Sequence, residues 1–172
     1  MIRTLAPKFA AVLLVLAGSY ACKKPATVAA PAMDSSLIAS LDRGPCQGRC
    51  PVYRVELYGS GRVKFDGKQH VASTGVRDGT ATSSAVQSFM RAVAASQFAT
   101  VDTSFVMGSA ACGSYVTDLP MMTLSIKVGS RMKSVQYDIG CRNAPKFLRT
   151  LEAQLDTTAG TAAWIAGKGE KK

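Results

Sequence analysis

The stretch YRVELYGSGRVKFD at residues 53–66 alternates apolar and polar side chains on both sides of a Gly-Ser-Gly connection. A period of two is typical of a strand with one buried face, and two such runs joined by a short glycine-bearing connection predict a β-hairpin. Asp66-Gly67 is a second turn signal, so we expect Lys68 to Val76 to return as a further strand. Residues 37–42 alternate in the same way and predict a strand ahead of the hairpin.

A second hairpin is predicted near the end of the chain. Residues 122–128 alternate up to Gly129-Ser130, a two-residue turn, and residues 132–139 form the return strand. Its inward side chains are expected to be Val135, Tyr137 and Ile139.

Two helices are predicted from apolar stripes with three- and four-residue spacing. The first begins at residues 82–84, with Ser84 and Gln87 spaced as a capping box. The second is capped by Asn143, and Trp164-Ile165 is expected to fold back on the core beyond its end. The stripes consist of Val86, Phe89, Met90 and Val93 in the first helix and Phe147, Leu148, Leu151 and Leu155 in the second.

The order of these elements predicts an α+β fold. An antiparallel β-sheet built from hairpins, with two α-helices packed on one face, is the simplest arrangement that buries all the apolar stripes. A chain of 172 residues with 47% hydrophobic residues has room for one such domain and can bury a core.

The net charge of +10 lies mainly at the ends of the chain. Residues 1–33 contain four Lys or Arg and no acid, and residues 167–172 contain three Lys and one Glu, which leaves a net charge of +4 for residues 34–166. A nucleic-acid-binding domain concentrates its basic residues on one folded face. The distribution therefore argues against a nucleic-acid partner.

The N-terminus has the pattern of an export signal. Residues 1–21 combine basic residues with an uncharged run at residues 9–18, which is too short to span a bilayer and suits a signal peptide. Cys22 follows the small residue Ala21, as at a bacterial lipoprotein cleavage site, where the new N-terminal cysteine is acylated with fatty acids such as palmitate. The alternative is ordinary cleavage, which would give a soluble periplasmic protein with Cys22 as an unpaired thiol.

We therefore predict an envelope protein in four parts. Residues 1–21 are the signal peptide, residues 22–36 a flexible tether anchored by lipid at Cys22, residues 37–166 a single domain, and residues 167–172 a basic disordered tail. The expected partners are the membrane, through the anchor, and a protein or a cell-wall component.

The other four cysteines are Cys46, Cys50, Cys112 and Cys141. An even number in an exported chain predicts disulfides, and three pairings are possible. Gly48 would let the loop between Cys46 and Cys50 curl enough for a local bond. A bond between Cys112 and Cys141 would pin a glycine-rich loop across the second hairpin.

Metal binding or thiol redox chemistry is an alternative for Cys46 and Cys50. Their C-x-x-x-C-P spacing resembles the copper-binding motif of cytochrome-oxidase assembly chaperones, because two thiolates can hold Cu(I). His70 would be a third ligand, and Met107, Met121 or Met122 would supply a thioether. The motif here precedes a hairpin, whereas the chaperones carry it on a strand-to-helix turn. We therefore predict no metal and no other cofactor.

No catalytic residue is predicted. The sequence lacks G-x-S-x-G and paired carboxylates, and its single histidine removes most histidine-based catalysis. An uncharacterised envelope enzyme stays the second alternative, and its cleft would have to form around Asp118, Asp138 or His70.

Four arginines form a candidate patch for an anionic ligand. If the cysteine loops bring them together they would bind an anion, and otherwise they are ordinary solvated side chains. They are Arg43, Arg49, Arg54 and Arg142.

The run GPCQGRCPVYRVELYGSGRVKFDG at residues 44–67, with TDLP at 117–120, APKFLRTLEAQLD at 144–156 and TAAWI at 161–165, resembles a family of bacterial exported domains of unknown function. The resemblance covers about residues 37–166, and G-x-C-x-G-x-C-P-x-Y is its most specific part. It implies a secreted or lipid-anchored α+β domain with no assigned activity.

The resemblance also bears on the disulfides. The family motif contains Cys46 and Cys50 as a unit, whereas Cys112 and Cys141 look like an addition, which implies the pairs 46–50 and 112–141. The sequence as a whole predicts a non-enzymatic, lipid-anchored envelope domain that serves as a binding module cross-linked by disulfides.

Overall fold

The hairpin of residues 53–66 lies within a larger antiparallel sheet. A computed structural model of the chain describes residues 35–166, and its sheet has seven strands in the order β4-β3-β2-β1-β6-β7-β5. Every neighbouring pair is antiparallel except β5 and β7. The strands are β1 (Leu37–Arg43), β2 (Val52–Tyr58), β3 (Arg62–Gln69), β4 (Gly75–Thr80), β5 (Ser104–Phe105), β6 (Met121–Val128) and β7 (Arg131–Asp138).

Three helices complete the α+β fold, which confirms the predicted class. They are α1 (Ser83–Ala95), α2 (Lys146–Ala159) and the short α3 (Ala162–Ile165). No helix within residues 35–166 is long and apolar enough to cross a membrane.

The core lies between the helices and one face of the sheet, which we call the helix face. On the central strand β1, Leu41 is fully buried and lies opposite Val55 of β2 and Leu124 of β6. The apolar stripe of α2 packs into the same core, where Leu148 and Leu155 are fully buried. Neighbouring residues along each strand point to the other face, here called the polar face.

The third strand differs from the sequence prediction. Asp66-Gly67 is not a turn: β3 continues to Gln69, and the chain returns only as Gly75–Thr80. His70, expected near the middle of a strand, lies exposed at the turn with a φ of 53°. The prediction failed because alternation continues weakly through this segment and gives no sharp boundary.

The helix starts also differ from the predictions. Thr82, and not Ser84, caps α1, because its hydroxyl accepts a hydrogen bond from the Ala85 amide at 3.2 Å. Pro145, and not Asn143, precedes the first residue of α2, without a side-chain cap. The preset φ of proline suits the start of a helix whether or not a side chain caps it.

The prediction that Trp164-Ile165 folds back on the core is confirmed. The Trp164 ring stacks on Phe65 with centroids 5.2 Å apart, and Phe65 stacks on Tyr53 at 5.3 Å. The carbonyls of Trp164 and Ile165 accept hydrogen bonds of 2.9 and 3.0 Å from the loop between β3 and β4. The predicted signal peptide, the Cys22 anchor, most of the tether and the tail at 167–172 lie outside the described residues.

Candidate functional site

Both disulfides lie at the same end of the sheet. Cys46 bonds to Cys50 in the connection between β1 and β2, and Cys112 bonds to Cys141 across β6 and β7. Arg43 at the end of β1 pairs with Met122 at the start of β6, and Met121 pairs with Asp138 at the end of β7. The end of β1, the start of β6 and the end of β7 therefore lie at the same end of the sheet. We call this region, residues 44–51, 106–120 and 139–145, the disulfide end. These are the pairs that the family resemblance implies.

The two cysteine loops contact each other directly. The Gly44 amide donates to the Met121 carbonyl at 2.8 Å, and the Gln47 amide to the Asp118 carbonyl at 3.2 Å. With its side-chain nitrogen turned to the Asp118 carboxylate, Gln47 donates at 2.7 and 3.1 Å. Asp118 has a φ of 70°, and Thr117 donates to its carboxylate at 2.9 Å. Asp118 therefore joins the two loops and has its carboxylate occupied by neighbouring donors.

The Cys112–Cys141 bridge is buried and fixes the other two loops. Its cysteines are 1% and 2% exposed, and their Cα atoms are 4.6 Å apart. Backbone hydrogen bonds of 3.0–3.1 Å join Asn143 to Cys112, Arg142 to Ser114 and Val116 to Gly140. A Cβ atom at Gly140 would meet the Val116 carbonyl, so only glycine permits this close approach.

A groove of about 680 Å³ opens beside this bridge, and we call it the basic groove. Apolar side chains form one part of its walls, and three exposed cations line the rest: Arg142, Lys146 and Arg149. The Arg149 guanidinium donates to the Ile139 carbonyl at 2.6 Å. No carboxylate lines the groove. The remaining lining residues are Val116, Leu119, Ile139, Gly140, Cys141 and Ala144.

Exposed apolar side chains are concentrated in the same region. Six large apolar residues are exposed in the described part of the chain, and four of them lie between residues 107 and 121. Val116 and Leu119, at 42% and 40% exposed, also line the basic groove. The other two of the four are Met107 and Met121.

Asp138 contributes to structure at the edge of the groove. Its side chain is buried, with the Tyr115 hydroxyl donating at 2.8 Å to one oxygen and the Gly140 amide at 2.8 Å to the other. The hydrogen bond to Asp138 raises the pKa of Tyr115. The carboxylate therefore holds the turn after β7.

A second polar cluster is buried between the sheet and α2. Glu152 accepts hydrogen bonds from Arg43 at 2.5 Å and from the Tyr137 hydroxyl at 2.7 Å. One helical turn further, Asp156 accepts from Tyr53 at 2.7 Å and from Thr161 at 2.8 Å. Each oxygen of the two carboxylates therefore accepts a hydrogen bond from a protein donor.

Burial dominates the electrostatics of this cluster. Desolvation raises the pKa of Glu152 above its ordinary value of 4.5, although Tyr137 and Arg43 favour the charged form. Desolvation likewise raises the pKa of Asp156 and, together with the adjacent carboxylates, that of Tyr53 and Tyr137. No groove among those described opens onto Glu152, and Asp156, which borders a groove of about 440 Å³, has each oxygen bonded to Tyr53 or Thr161. We therefore interpret the cluster as structural.

The four candidate arginines do not converge. Arg43 binds Glu152 on the helix face, whereas Arg54 lies on the polar face, where it pairs with Asp42 and with Glu56. Arg49 lies in the Cys46–Cys50 loop. Of the four, Arg142 is the one that lines the basic groove.

The candidate copper ligands are dispersed or occupied. Cys46 and Cys50 are bonded to each other, and His70 lies in the turn after β3. Met122 is fully buried, and Met121 sulfur accepts from Gln136 at 3.0 Å. Among residues 35–166, no three His, Cys, Asp or Glu side chains are grouped to hold a metal ion.

Sequence reasoning missed Lys146 and Arg149 as groove residues. A signal was present for two of the three groove cations, since Lys146 and Arg149 are three residues apart in the first turn of the helix, a spacing that places side chains on one side.

The chain matches the model of a known protein family. A family model described as a domain of unknown function (DUF6438) matches residues 38–159, from β1 to the last residue of α2. The matched range includes both disulfides and all residues of the basic groove. Among curated proteins, none matches the chain.

Proposed function

This chain belongs to the DUF6438 family, and we propose that it is an exported cell-envelope protein, anchored by lipid at Cys22, whose domain is a non-enzymatic binding module. The binding surface is the disulfide end. A single observation carries this proposal: the two disulfides, the largest of the described grooves and three of the six exposed large apolar side chains occur at that end of the sheet, and a fourth, Met121, begins β6 beside it.

Rigid loops with exposed apolar groups are suited to recognition. A surface that is fixed before binding loses little conformational entropy when the partner arrives. Here the fixing elements are the Cys112–Cys141 bridge and the contact of Gln47 with Asp118. Val116 and Leu119 leave apolar area exposed, and its burial by a partner favours binding.

The state of the carboxylates supports a binding role over catalysis. A general acid or base needs a proton-transferring oxygen that faces substrate. The Asp138 oxygens accept from Tyr115 and Gly140, and the Asp118 carboxylate from Gln47 and Thr117. Through these contacts both side chains stabilise the loops.

The lipid anchor rests on the sequence around Cys22, and it has a direct test. The chain is expressed with its own N-terminus in a bacterial host, and the mature N-terminal peptide is analysed by mass spectrometry. We expect cleavage before Cys22 and the added mass of acyl chains. The matched control is Cys22→Ser, which should no longer be found in the membrane fraction. Cleavage elsewhere, with an unmodified Cys22, would support the soluble periplasmic alternative.

The binding surface is tested by site-specific photo-crosslinking in cells. A photo-reactive residue is placed at Val116 or Leu119, and, as controls of similar exposure (51% and 41%), at Val76 on the edge strand β4 or at Met132 at the opposite end of β7. We expect discrete adducts from the first pair and not from the second. Equal adducts at all four positions, or none at Val116 and Leu119, would contradict the proposal.

A further inference from the structure

We propose that the basic groove binds a ligand in which a phosphate or carboxylate group adjoins an apolar portion. The inference rests on the proposed binding function and names the chemistry of what is bound. It is carried by the convergence of Arg142, Lys146 and Arg149 on one concave surface that no carboxylate lines.

In the described residues the three groove cations form no ion pair, although the charge of Arg149 acts on Glu152, three residues further along α2, and favours its charged form. The ion pairs there involve Arg43, Arg54 and Lys68 instead. Like charges three or four residues apart on a helix repel one another, and Lys146 and Arg149 have this spacing. An anion bound between the cations would relieve the repulsion and gain favourable contacts with all three.

Arg149 is already oriented by the fold. One of its terminal nitrogens donates to the Ile139 carbonyl at 2.6 Å, which holds the planar guanidinium against the groove wall. A guanidinium has five N–H donors, so others stay available, and their fork matches the oxygens of a phosphate or carboxylate. Arg142 and Lys146 are exposed and extend the same positive surface.

The apolar walls of the basic groove favour a ligand with an apolar portion. Val116, Leu119, Ile139 and Ala144 line the groove beside the cations. A volume of about 680 Å³ lies within the range of about 300–1,000 Å³ typical of small-molecule sites. A free phosphate ion would leave most of this space and the apolar walls unused.

The groove is fixed before a ligand arrives. The buried Cys112–Cys141 bridge and the hydrogen bond of Val116 to Gly140 join its two sides. Asp138, the nearest buried acid in sequence, accepts from Gly140 and Tyr115. It therefore stabilises the wall.

The test uses the full mature chain with Cys22→Ser, so that a lipid anchor does not govern membrane binding. Phenyl phosphate and benzoate are the amphipathic probes, inorganic phosphate lacks the apolar portion, and benzyl alcohol lacks the charge. Binding is followed by NMR titration. We expect both amphipathic probes to bind more tightly than the other two, with shifts centred on Gly140, Lys146 and Arg149.

A matched pair of double variants separates the groove from overall charge. Arg142→Gln/Arg149→Gln should weaken phenyl phosphate binding by about tenfold or more, because two charge-assisted contacts are lost. Arg77→Gln/Arg91→Gln removes the same charge at exposed positions on β4 and α1 and should leave binding unchanged. Equal weakening by both pairs, or no saturable shift with either amphipathic probe, would overturn the proposal.

Vesicles distinguish a lipid headgroup from a free ligand. The Cys22→Ser chain is sedimented with vesicles of phosphatidylglycerol and of phosphatidylcholine. Retention on the anionic vesicles that is lost in Arg142→Gln/Arg149→Gln assigns the groove to a headgroup; binding of phenyl phosphate without retention assigns it to a free ligand.

The two proposals fail in different ways. Crosslinks at Leu119 without anion binding would overturn this inference alone. Phenyl phosphate binding without crosslinks would contradict the macromolecular partner of the proposed function and would support the anion site.

Discussion

Tyr137 and Glu152 join the sheet to α2 through one buried hydrogen bond, in which the tyrosine hydroxyl donates to the carboxylate at 2.7 Å. The other carboxylate oxygen accepts from Arg43 at 2.5 Å, so the last residue of β1 also holds the helix. Glu152 is 7% exposed. A buried carboxylate is tolerated only while its donors are in place.

The first prediction concerns the cation of this cluster. Arg43→Met should lower the free energy of unfolding by about 3 kcal/mol, because it leaves the Glu152 carboxylate buried without its cation. In a Glu152→Gln background the same substitution should lower it by no more than about 1 kcal/mol, since the amide oxygen still accepts from Tyr137 and no charge is stranded. Urea unfolding of the four variants gives the coupling energy. Equal losses in both backgrounds would show that the two residues do not interact.

The second prediction concerns pH. Desolvation raises the pKa of Glu152, so above its ordinary value of 4.5 the folded chain retains a proton that the unfolded chain has released. The free energy of unfolding therefore falls as the pH rises from 4.5 through the raised pKa of Glu152, and the contribution of Glu152 to stability is largest below pH 4.5. Glu152→Gln should flatten this decline in urea midpoints measured from pH 4 to 8.

Glu56 provides the control of opposite sign. Desolvation alone would raise its pKa, but hydrogen bonds from Arg54 and Tyr58 outweigh burial and hold the pKa below 4.5. Its contribution to stability is present above 4.5 and is lost as the pH falls through the lowered value. Glu56→Gln should therefore change the acid side of the profile only. Asp156, whose pKa desolvation also raises, retains its own share of the decline in Glu152→Gln. A decline of unchanged steepness in Glu152→Gln would contradict our assignment.

The strands and the core were predictable because alternation reports burial directly. Val55, Leu57, Val63 and Phe65 are all fully buried, as the pattern around residues 59–61 indicates. The cap of α1 was not predictable, because hydroxyl side chains stand at each of residues 82–84 and only the backbone path selects between them. At α2, Asn143 precedes the helix without capping it. The short strand Ser104–Phe105 gives no signal either, since two residues establish no period.

The candidate site was only partly predictable for a related reason. Charge pairing depends on which face a side chain occupies, and Arg43 and Arg54 are assigned to opposite faces by the register of β1 and β2. The groove residue Arg142 was among the candidates. Its grouping with Arg149 needs the path of the chain around Cys141, which one sequence does not specify.

The third prediction uses the single tryptophan as a reporter. A Cβ atom at Gly79 would approach Trp164 ring carbons to 2.7 and 3.2 Å. Gly79→Ala should therefore displace the ring from Phe65, lower the free energy of unfolding by about 1–3 kcal/mol and shift the fluorescence to longer wavelength. Thr80→Ala, at the next and exposed position, is the matched control and should change neither quantity. Unchanged emission in Gly79→Ala would contradict this packing.

The fourth prediction compares the two disulfides. Thiol–disulfide exchange requires access to sulfur, and Cys46 and Cys50 are half-buried, whereas Cys112 and Cys141 are almost completely buried. Mild reductant should therefore open the Cys46–Cys50 bond first, as measured by alkylation and peptide mapping. Replacing Cys112 and Cys141 by alanine should cost about 3–4 kcal/mol, against about 2 kcal/mol for the pair 46 and 50, because the longer loop loses more chain entropy on closure.

Selective reduction also tests the copper alternative. With the Cys46–Cys50 bond open and Cys112–Cys141 intact, the chain is offered Cu(I) in competition with a chelator. We expect no retention, because among residues 35–166 no third His, Cys, Asp or Glu side chain is grouped with these cysteines to complete a site. Retention of one copper, abolished by Cys46→Ser/Cys50→Ser and kept in Cys112→Ala/Cys141→Ala, would replace the binding-module assignment with a metal-binding one. Opening of Cys112–Cys141 before Cys46–Cys50 would instead show that the buried bridge is exposed by local unfolding.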